Sequence, residues 1–384
     1  MARRAWLVRS SGVALIALTM LATAAAPAAA NRPPRGDWTP TGSMTFWGGR
    51  ADFTMTLLPD GQVLAAGAYL LGADFMTGAA ETFDPTTGSW TTAAPMSTSR
   101  ADAIAALLPD GKVLVAGGAV SSAPWSATSR ADLYDPASRL WSPTGAMVAP
   151  RIGLGAATLA DGRVLVAGGW GDDLGGPTSS AELYDPITGM WTETGSMALP
   201  RGAPTLTLLP TGQVLAAGGS ADATTELYDP GTGSWTTTGS LQQARRGHTA
   251  TLLPTGDVLV VGGGDPGAPL SSVEIYDVTT GVWEPAESLS RPRTGHAAVL
   301  LDKPAQVLVI SGGWSEVTAE LFDVHPGRWR AAAPIVEGRG GPEAVLLQDG
   351  RVLVAGGAGL DELGGVVSLQ SAELYERRAS GRDQ

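Results

Sequence analysis

Seven arginines and seven carboxylates recur along this chain at matched positions, and they form its densest set of groups that could do chemistry. Arg50, Arg100, Arg151, Arg201, Arg245, Arg293 and Arg339 each stand 13 residues before the valine that opens an apolar run, or 14 for Arg293. Glu81, Asp132, Glu182, Glu226, Glu274, Glu320 and Glu373 each stand two residues before Phe or Tyr. A ring of guanidiniums presents paired donors and could hold a carboxylate or phosphate. One cation and one anion per copy point instead to a structural bridge in every copy, because a partly buried charge left unpaired is costly.

Two other sets break the pattern. His248 and His296 occupy equivalent places in neighbouring copies, with Arg246 and Arg293 beside them. Together with Asp265 they could bind a metal, but no third ligand has recognisable spacing, so neither a metal nor a cofactor is expected. Tyr69, Phe75, Trp125, Trp170 and Trp314 stand among Asp74, Asp172, Asp173, Asp222, Asp265, Glu316, Asp361 and Glu362. Indole stacks on apolar faces while acids fix hydroxyls or cations, which suits a sugar-binding or protein-binding surface. The structural alternative is that each Trp caps the end of its own copy. The ligand-binding candidates are Tyr69, Trp125, Trp170, Asp172, Asp173, Arg246, His248, His296, Trp314 and Glu316. The chain contains no His-Glu-x-x-His, Gly-x-Ser-x-Gly, phosphate-binding loop or calcium loop, so no catalytic residue is assigned.

What must position these groups is a repeated unit. Trp38, Trp90, Trp141, Trp191, Trp235, Trp283 and Trp329 recur about every 48 residues, so one supersecondary unit is copied and each copy buries its faces against its neighbours. In residues 245–291 the unit reads as an Arg-Arg-Gly-His start, a run Thr249–Leu253, a Pro-Thr-Gly-Asp turn and a run Val258–Val261 ending in Gly262-Gly263. Then come Glu274-Ile275-Tyr276, a Thr-Thr-Gly turn and Trp283. Short runs bounded by Gly, Pro, Asp and Thr are strand and hairpin signals, and no sustained helical period appears, so the protein is read as all-β. Second runs such as Val164-Leu165-Val166-Ala167 are apolar on successive residues, as in a strand covered on both faces.

Four-stranded units of this length, with a double glycine after the second strand, an aromatic two residues after an acid and a later Trp, resemble kelch repeats. The glycine pair is Gly117-Gly118, Gly168-Gly169, Gly218-Gly219, Gly262-Gly263, Gly312-Gly313 and Gly356-Gly357, with Gly67-Ala68 as a variant. WD-type repeats are shorter and carry a Trp-Asp pair absent here. The resemblance covers about residues 37–376 and implies a seven-bladed β-propeller. The last copy ends at Tyr375-Glu376 without a Trp, and Trp38 precedes the first Arg, so the N-terminal segment should supply the outer strand of the seventh blade. Closure matters because a missing strand exposes unpaired backbone groups.

Strand parity sorts the loops. If the first strand runs from face X to face Y, the tight Pro-Asp-Gly and Asp-Pro-Thr-Gly turns lie on Y. The loops after the double glycine and the links between blades lie on X. The X loops vary from six residues after Gly219 and Gly313 to 15 after Gly357, and loops of unequal length on a rigid scaffold are where binding is built.

Residues 1–30 read as a secretory signal: Arg3, Arg4 and Arg9 precede the apolar run Val13–Ala26, and Ala28-Ala29-Ala30 forms a cleavage site before Asn31. The expected domains are this signal, a propeller over 31–376 and a disordered tail at 377–384. Localisation is therefore secreted or periplasmic, by the ordinary route or, given Arg3-Arg4 before Trp6-Leu7, by twin-arginine export. The apolar stretch is short for a lasting membrane span. Removing those three arginines from 25 basic residues leaves 22 against 37 acids, which disfavours nucleic acid or an anionic membrane as partner. No cysteine is present, so disulfides do not hold the fold.

Some kelch propellers are enzymes. Copper radical oxidases of the galactose oxidase type need a Cys crosslinked to Tyr, which this chain cannot form. Exported sialic acid mutarotases are kelch propellers that use Glu and Arg near the channel. Their weak-acid and base chemistry could fall here to Glu316 or Asp265 with Arg245, Arg246 and His248, though no motif matches residue by residue. The Asp84-Pro85-Thr86-Thr87-Gly88-Ser89-Trp90 turn resembles a sialidase Asp box but keeps kelch spacing. The reading is an exported monomeric binding module that takes a glycan or an extracellular protein through face X. The alternative is a mutarotase-like enzyme.

Overall fold

The computed structural model describes residues 36–377 apart from 123, 172–174 and 266. The expected signal, the tail from 378 onward, and Asp172 and Asp173 lie outside the described residues.

Each repeat folds as one antiparallel sheet of four strands. In the fifth copy, Thr249–Leu252 pairs with Val258–Val261, which pairs with Val273–Asp277, which pairs with Val282–Ala286. The first turn is closed by Leu253 N–H to the Asp257 carbonyl, 2.8 Å, and Gly256 takes the positive φ of 92° that the turn requires. No helix occurs among the described residues.

Packing between sheets explains the unbroken apolar runs. Val258 and Val260 join a cluster with Leu215 and Ala217 of blade 4, while Leu259 and Val261 join Val307, Val309 and Phe322 of blade 6. Both faces of the second strand are therefore core, and all four residues are fully buried. Burying such a side chain is worth about 1.5–3 kcal/mol. In all seven copies the repeat Trp tilts against the Tyr or Phe of the third strand with centroids 5.1–5.2 Å apart.

The inner strands form a complete circle: Thr54–Leu57 of blade 1 lies beside Ile104–Leu107 of blade 2 and Glu343–Leu346 of blade 7. The ring closes as expected. Asp37–Pro40 adds to Ala372–Glu376 with Trp38 opposite Tyr375, and the Trp38 indole donates to the Ala333 carbonyl of the neighbouring blade at 2.9 Å.

Two details differ from the sequence reading. In blade 6 the glycine pair is shifted by one: Ser311 takes the first position at φ 59° and Gly312 the second, because this copy carries one extra residue between its arginine and its second strand. The variable X loops are partly hairpins, Ala119–Ser122 with Trp125–Ala127 and Ala358–Leu360 with Val366–Ser368. In blade 1 the second and third strands extend outward past a bulge at Ala66/Ala68 to pair Leu70 with Phe75.

Candidate functional site

The charged rings are ion pairs within blades. Six Arg–acid distances lie between 2.6 and 3.0 Å, and Arg245 is likewise paired with Glu274. Each guanidinium also donates to two carbonyls. For Arg201 these are Gly218, at the end of the second strand, and Thr224, ahead of the third. Most of the acids accept an N–H from the incoming link as well, as Glu226 does from Ala198 and Glu373 from Val336. These side chains are almost wholly buried, so the ring staples strands and links, and the Nε atoms of Arg151, Arg245, Arg293 and Arg339, which lack a partner, are enclosed away from an anion in solvent. Burial lowers the Arg50 guanidinium from its ordinary value, and the Glu81 charge opposes that shift.

The histidines are interior groups. His248 Nε2 lies 3.0 Å from the Thr205 hydroxyl, and His296 Nε2 lies 2.9 Å from Thr249, each one blade back. Both Nδ1 atoms are buried without a partner. Burial, and secondarily Arg245 and Arg293, lower the two pKa values to about 3. Neutral, enclosed imidazoles cannot meet a ligand on face X, so the structure separates them from the other candidates. Among the described residues no three His, Asp or Glu side chains are grouped to hold a metal.

Of the loop aromatics, Tyr69, Trp125 and Trp314 are half-buried and Trp170 is buried at the top of the blades, while Phe75 is exposed. Trp170 is 9% exposed; a methyl on Gly202 of the next blade would overlap its ring, and one on Gly153 would come within 2.7 Å. Its ring lies 5.9 Å from the Arg246 guanidinium carbon. Trp314 sits likewise over Gly340 of blade 7. Tyr69 and Trp125 stand 6.0 Å apart, and the Tyr69 hydroxyl donates to Asp74 at 2.6 Å. Glu316 accepts from Thr318 N–H at 2.9 Å and lies 3.6 Å from Arg291. The candidates thus form separate groups, and Trp170 and Trp314 reach over the following blade rather than capping only their own.

At the channel mouth, the residue two after each ring arginine is left-handed: Asp52, Asp102, Gly153, Ala203, Gly247, Gly295 and Gly341, with φ from 51° to 60°. Backbone bonds such as Ala203 N–H to Gly153 O, 2.7 Å, run around this collar. Glu343 on the inner strand of blade 7 lies beside it, and burial followed by the Asp52 charge pushes its pKa up to about 8. Asp52 and Asp102 make this side of the mouth acidic, while Glu343 stays mostly protonated at neutral pH.

Sequence reasoning passed over Trp47, which is 75% exposed. The signal was available: Met44 precedes its arginine by six residues, whereas Met96, Met147, Met197, Leu241, Leu289 and Ile335 precede theirs by four. Phe46-Trp47 is an insertion in the blade 7 to blade 1 link.

With this geometry in place, comparison with known proteins identifies the class. The kelch motif model matches residues 154–198 and 245–290, which hold blades 3 and 5. With seven such sheets closed in a ring, the chain is a seven-bladed β-propeller that carries kelch motifs in two of its blades. Solved structures similar to it include a fungal alcohol oxidase with catalytic diversity among the AA5 family, in complex with copper. That structure aligns with a TM-score of 0.73 and 21% identity, covering 90% of this chain and 78% of that one. At this identity the likeness shows the fold alone. No curated protein matches the sequence.

Proposed function

We propose that this propeller is an exported, non-catalytic binding module whose face X docks a protein partner. One observation carries the reading. Trp47, Phe75, Val336, Leu360 and Leu363, between 43% and 95% exposed, all stand on X loops of blades 6, 7 and 1. Leu140, Ile187, Met190 and Val282 are also exposed, in or beside the Y turns of blades 2, 3 and 5, but the five on face X share adjoining blades, and a clustered apolar sector with an acidic border is the composition of a protein-docking surface. The half-buried seats of Tyr69, Trp125 and Trp314, and the buried one of Trp170, leave those rings little free face for stacking on sugar, which favours protein over glycan. Export rests on the signal pattern of residues 1–30.

Two enzymatic readings are weaker. The absence of cysteine removes a Cys–Tyr crosslink. For mutarotase-like chemistry, Arg245 is sealed against Glu274 and His248 against Thr205, which withdraws two of the named groups from any substrate. Among the described residues no helix is long and apolar enough to cross a membrane.

The test is a photo-crosslinking benzoylphenylalanine placed at Leu363 on face X or at Ile187, 94% exposed in a turn on face Y, on cells making the protein. Protease-sensitive adducts from Leu363 alone are expected. Equal adducts from both positions, or glycan-array binding abolished by Trp170→Ala, would overturn the reading.

A further inference from the structure

The link into blade 1 and the link into blade 7 each break the repeat, and the two breaks meet. In the first, the inserted Phe46 is half-buried with its ring 5.3 Å from the Arg50 guanidinium carbon, while Trp47 stands out in solvent. In the second, the residue two before the ring arginine is Glu337, where the other copies have Gly48, Thr98, Ala149, Leu199, Gln243 and Arg291. Glu337 accepts a hydrogen bond from the Ser371 hydroxyl and lies 3.7 Å from Arg339, which is already paired with Glu373 at 3.0 Å. Its carboxylate is therefore fixed in place yet 42% exposed.

Trp47 and Glu337 line one cavity of about 430 Å³ with Ser43, Gln370 and Ser371. The X-face segments around it, residues 41–49, 69–76, 336–338 and 358–371, carry Asp74, Glu337, Asp361 and Glu362, and the adjoining Arg50 and Arg339 are buried and paired with Glu81 and Glu373. The whole chain has a formal charge of −12. A cation is drawn to such a place, an anion is repelled, and a neutral sugar gains nothing from the surplus charge. A cation over an indole gains further from the ring quadrupole.

We propose that this cavity receives a lysine or arginine side chain of the protein partner, its stem along Trp47 and its charge facing Glu337. Leu360, Leu363 and Phe75 take apolar residues that flank that base in the same partner segment. The assignment rests on the docking reading given above for face X.

The test titrates the protein with a fluorescein-labelled 12-residue peptide of alternating lysine and leucine, followed by anisotropy. The same peptide with every lysine Nε-acetylated is titrated in parallel. Saturable binding of the cationic peptide is expected, weakened at least tenfold by Trp47→Ala and by Glu337→Gln. Glu193→Gln, on the outer strand of blade 3, should leave it unchanged, and the acetylated peptide should not bind. Circular dichroism melts check that each variant folds, and Trp47→Phe should retain intermediate affinity. Wild-type affinity in Trp47→Ala, equal binding of the acetylated peptide, equal loss in Glu193→Gln, or displacement by chitotetraose would overturn the assignment. If Leu363 crosslinks persist while cation selectivity is absent, the pocket assignment fails alone; if both are absent, the docking reading fails with it.

Discussion

Replacing Arg201 by alanine should destabilise the entire ring while leaving face X unchanged. Arg201 and Glu226 are no more than 1% exposed and 2.9 Å apart, and the guanidinium also satisfies the carbonyls of Gly218 and Thr224 at 3.1 and 2.8 Å. Its removal leaves a buried carboxylate with the Ala198 N–H but without its cation, plus two carbonyls short of a donor. Breaking a buried pair of this kind costs about 3–5 kcal/mol. Unfolding entropy of about 2.1 cal/mol/K per residue over the roughly 340 residues of the ring gives ~0.7 kcal/mol/K. A loss of ~4 kcal/mol therefore lowers the melting temperature by about 5–6 °C. Lys112→Ala removes a cation paired with Asp110 at the surface, 39% and 48% exposed; such pairs are worth less than about 1 kcal/mol, so the shift should stay near 1 °C or below. Calorimetry of the two variants beside wild type decides the matter. An Arg201→Ala melt within 1 °C of wild type would refute the stapling argument. Lost peptide binding with an unchanged melt would reassign the ring to ligand binding.

The other predictions concern closure and pH. Trp38 donates to Ala333 across the seam, whereas the indole nitrogen of Trp90 is buried without a partner. Trp38→Phe should therefore lose about 1 kcal/mol more than Trp90→Phe in urea unfolding, and equal losses would contradict the role of that bond. His248 and His296 have folded pKa values near 3 against an ordinary 6.5. Below pH 6.5 the unfolded chain binds protons that the folded chain refuses, so stability falls toward pH 3 by about 1.4 kcal/mol per pH unit for each histidine. Glu343 acts oppositely: with its folded pKa raised from 4.5 to about 8, stability is lost as pH rises through that interval. Urea midpoints should peak near pH 6.5. His248→Gln should flatten the acid limb and Glu343→Gln the alkaline limb, and a profile unchanged by either substitution would show that these groups are not buried as described.

Much of the architecture was legible because repetition samples the same physical problem seven times. The matched series of Arg, acid, aromatic and Trp, with unbroken apolar second strands, left a radial stack of sheets as the arrangement that buries every copy equally. The displaced Trp38 announced where the circle joins. The equal counts of Arg and acid also foretold the buried pairs, since no other partner recurs at the same period.

The particular surface was less legible, for a physical reason. A sequence lists Trp170, Trp314 and His248 as chemistry-bearing residues, but whether a ring faces solvent depends on what the neighbouring blade places opposite it. Gly202 and Gly340 open seats for the two Trp rings, and Thr205 gives His248 an interior partner. Trp47, in a two-residue insertion, stays exposed because nothing in blade 7 covers it. The periodic pattern by itself determined the fold, the blade count and the closing strand. Only the tertiary structure decided which departures from the pattern are enclosed and which remain open, because burial belongs to a residue and its spatial neighbours together.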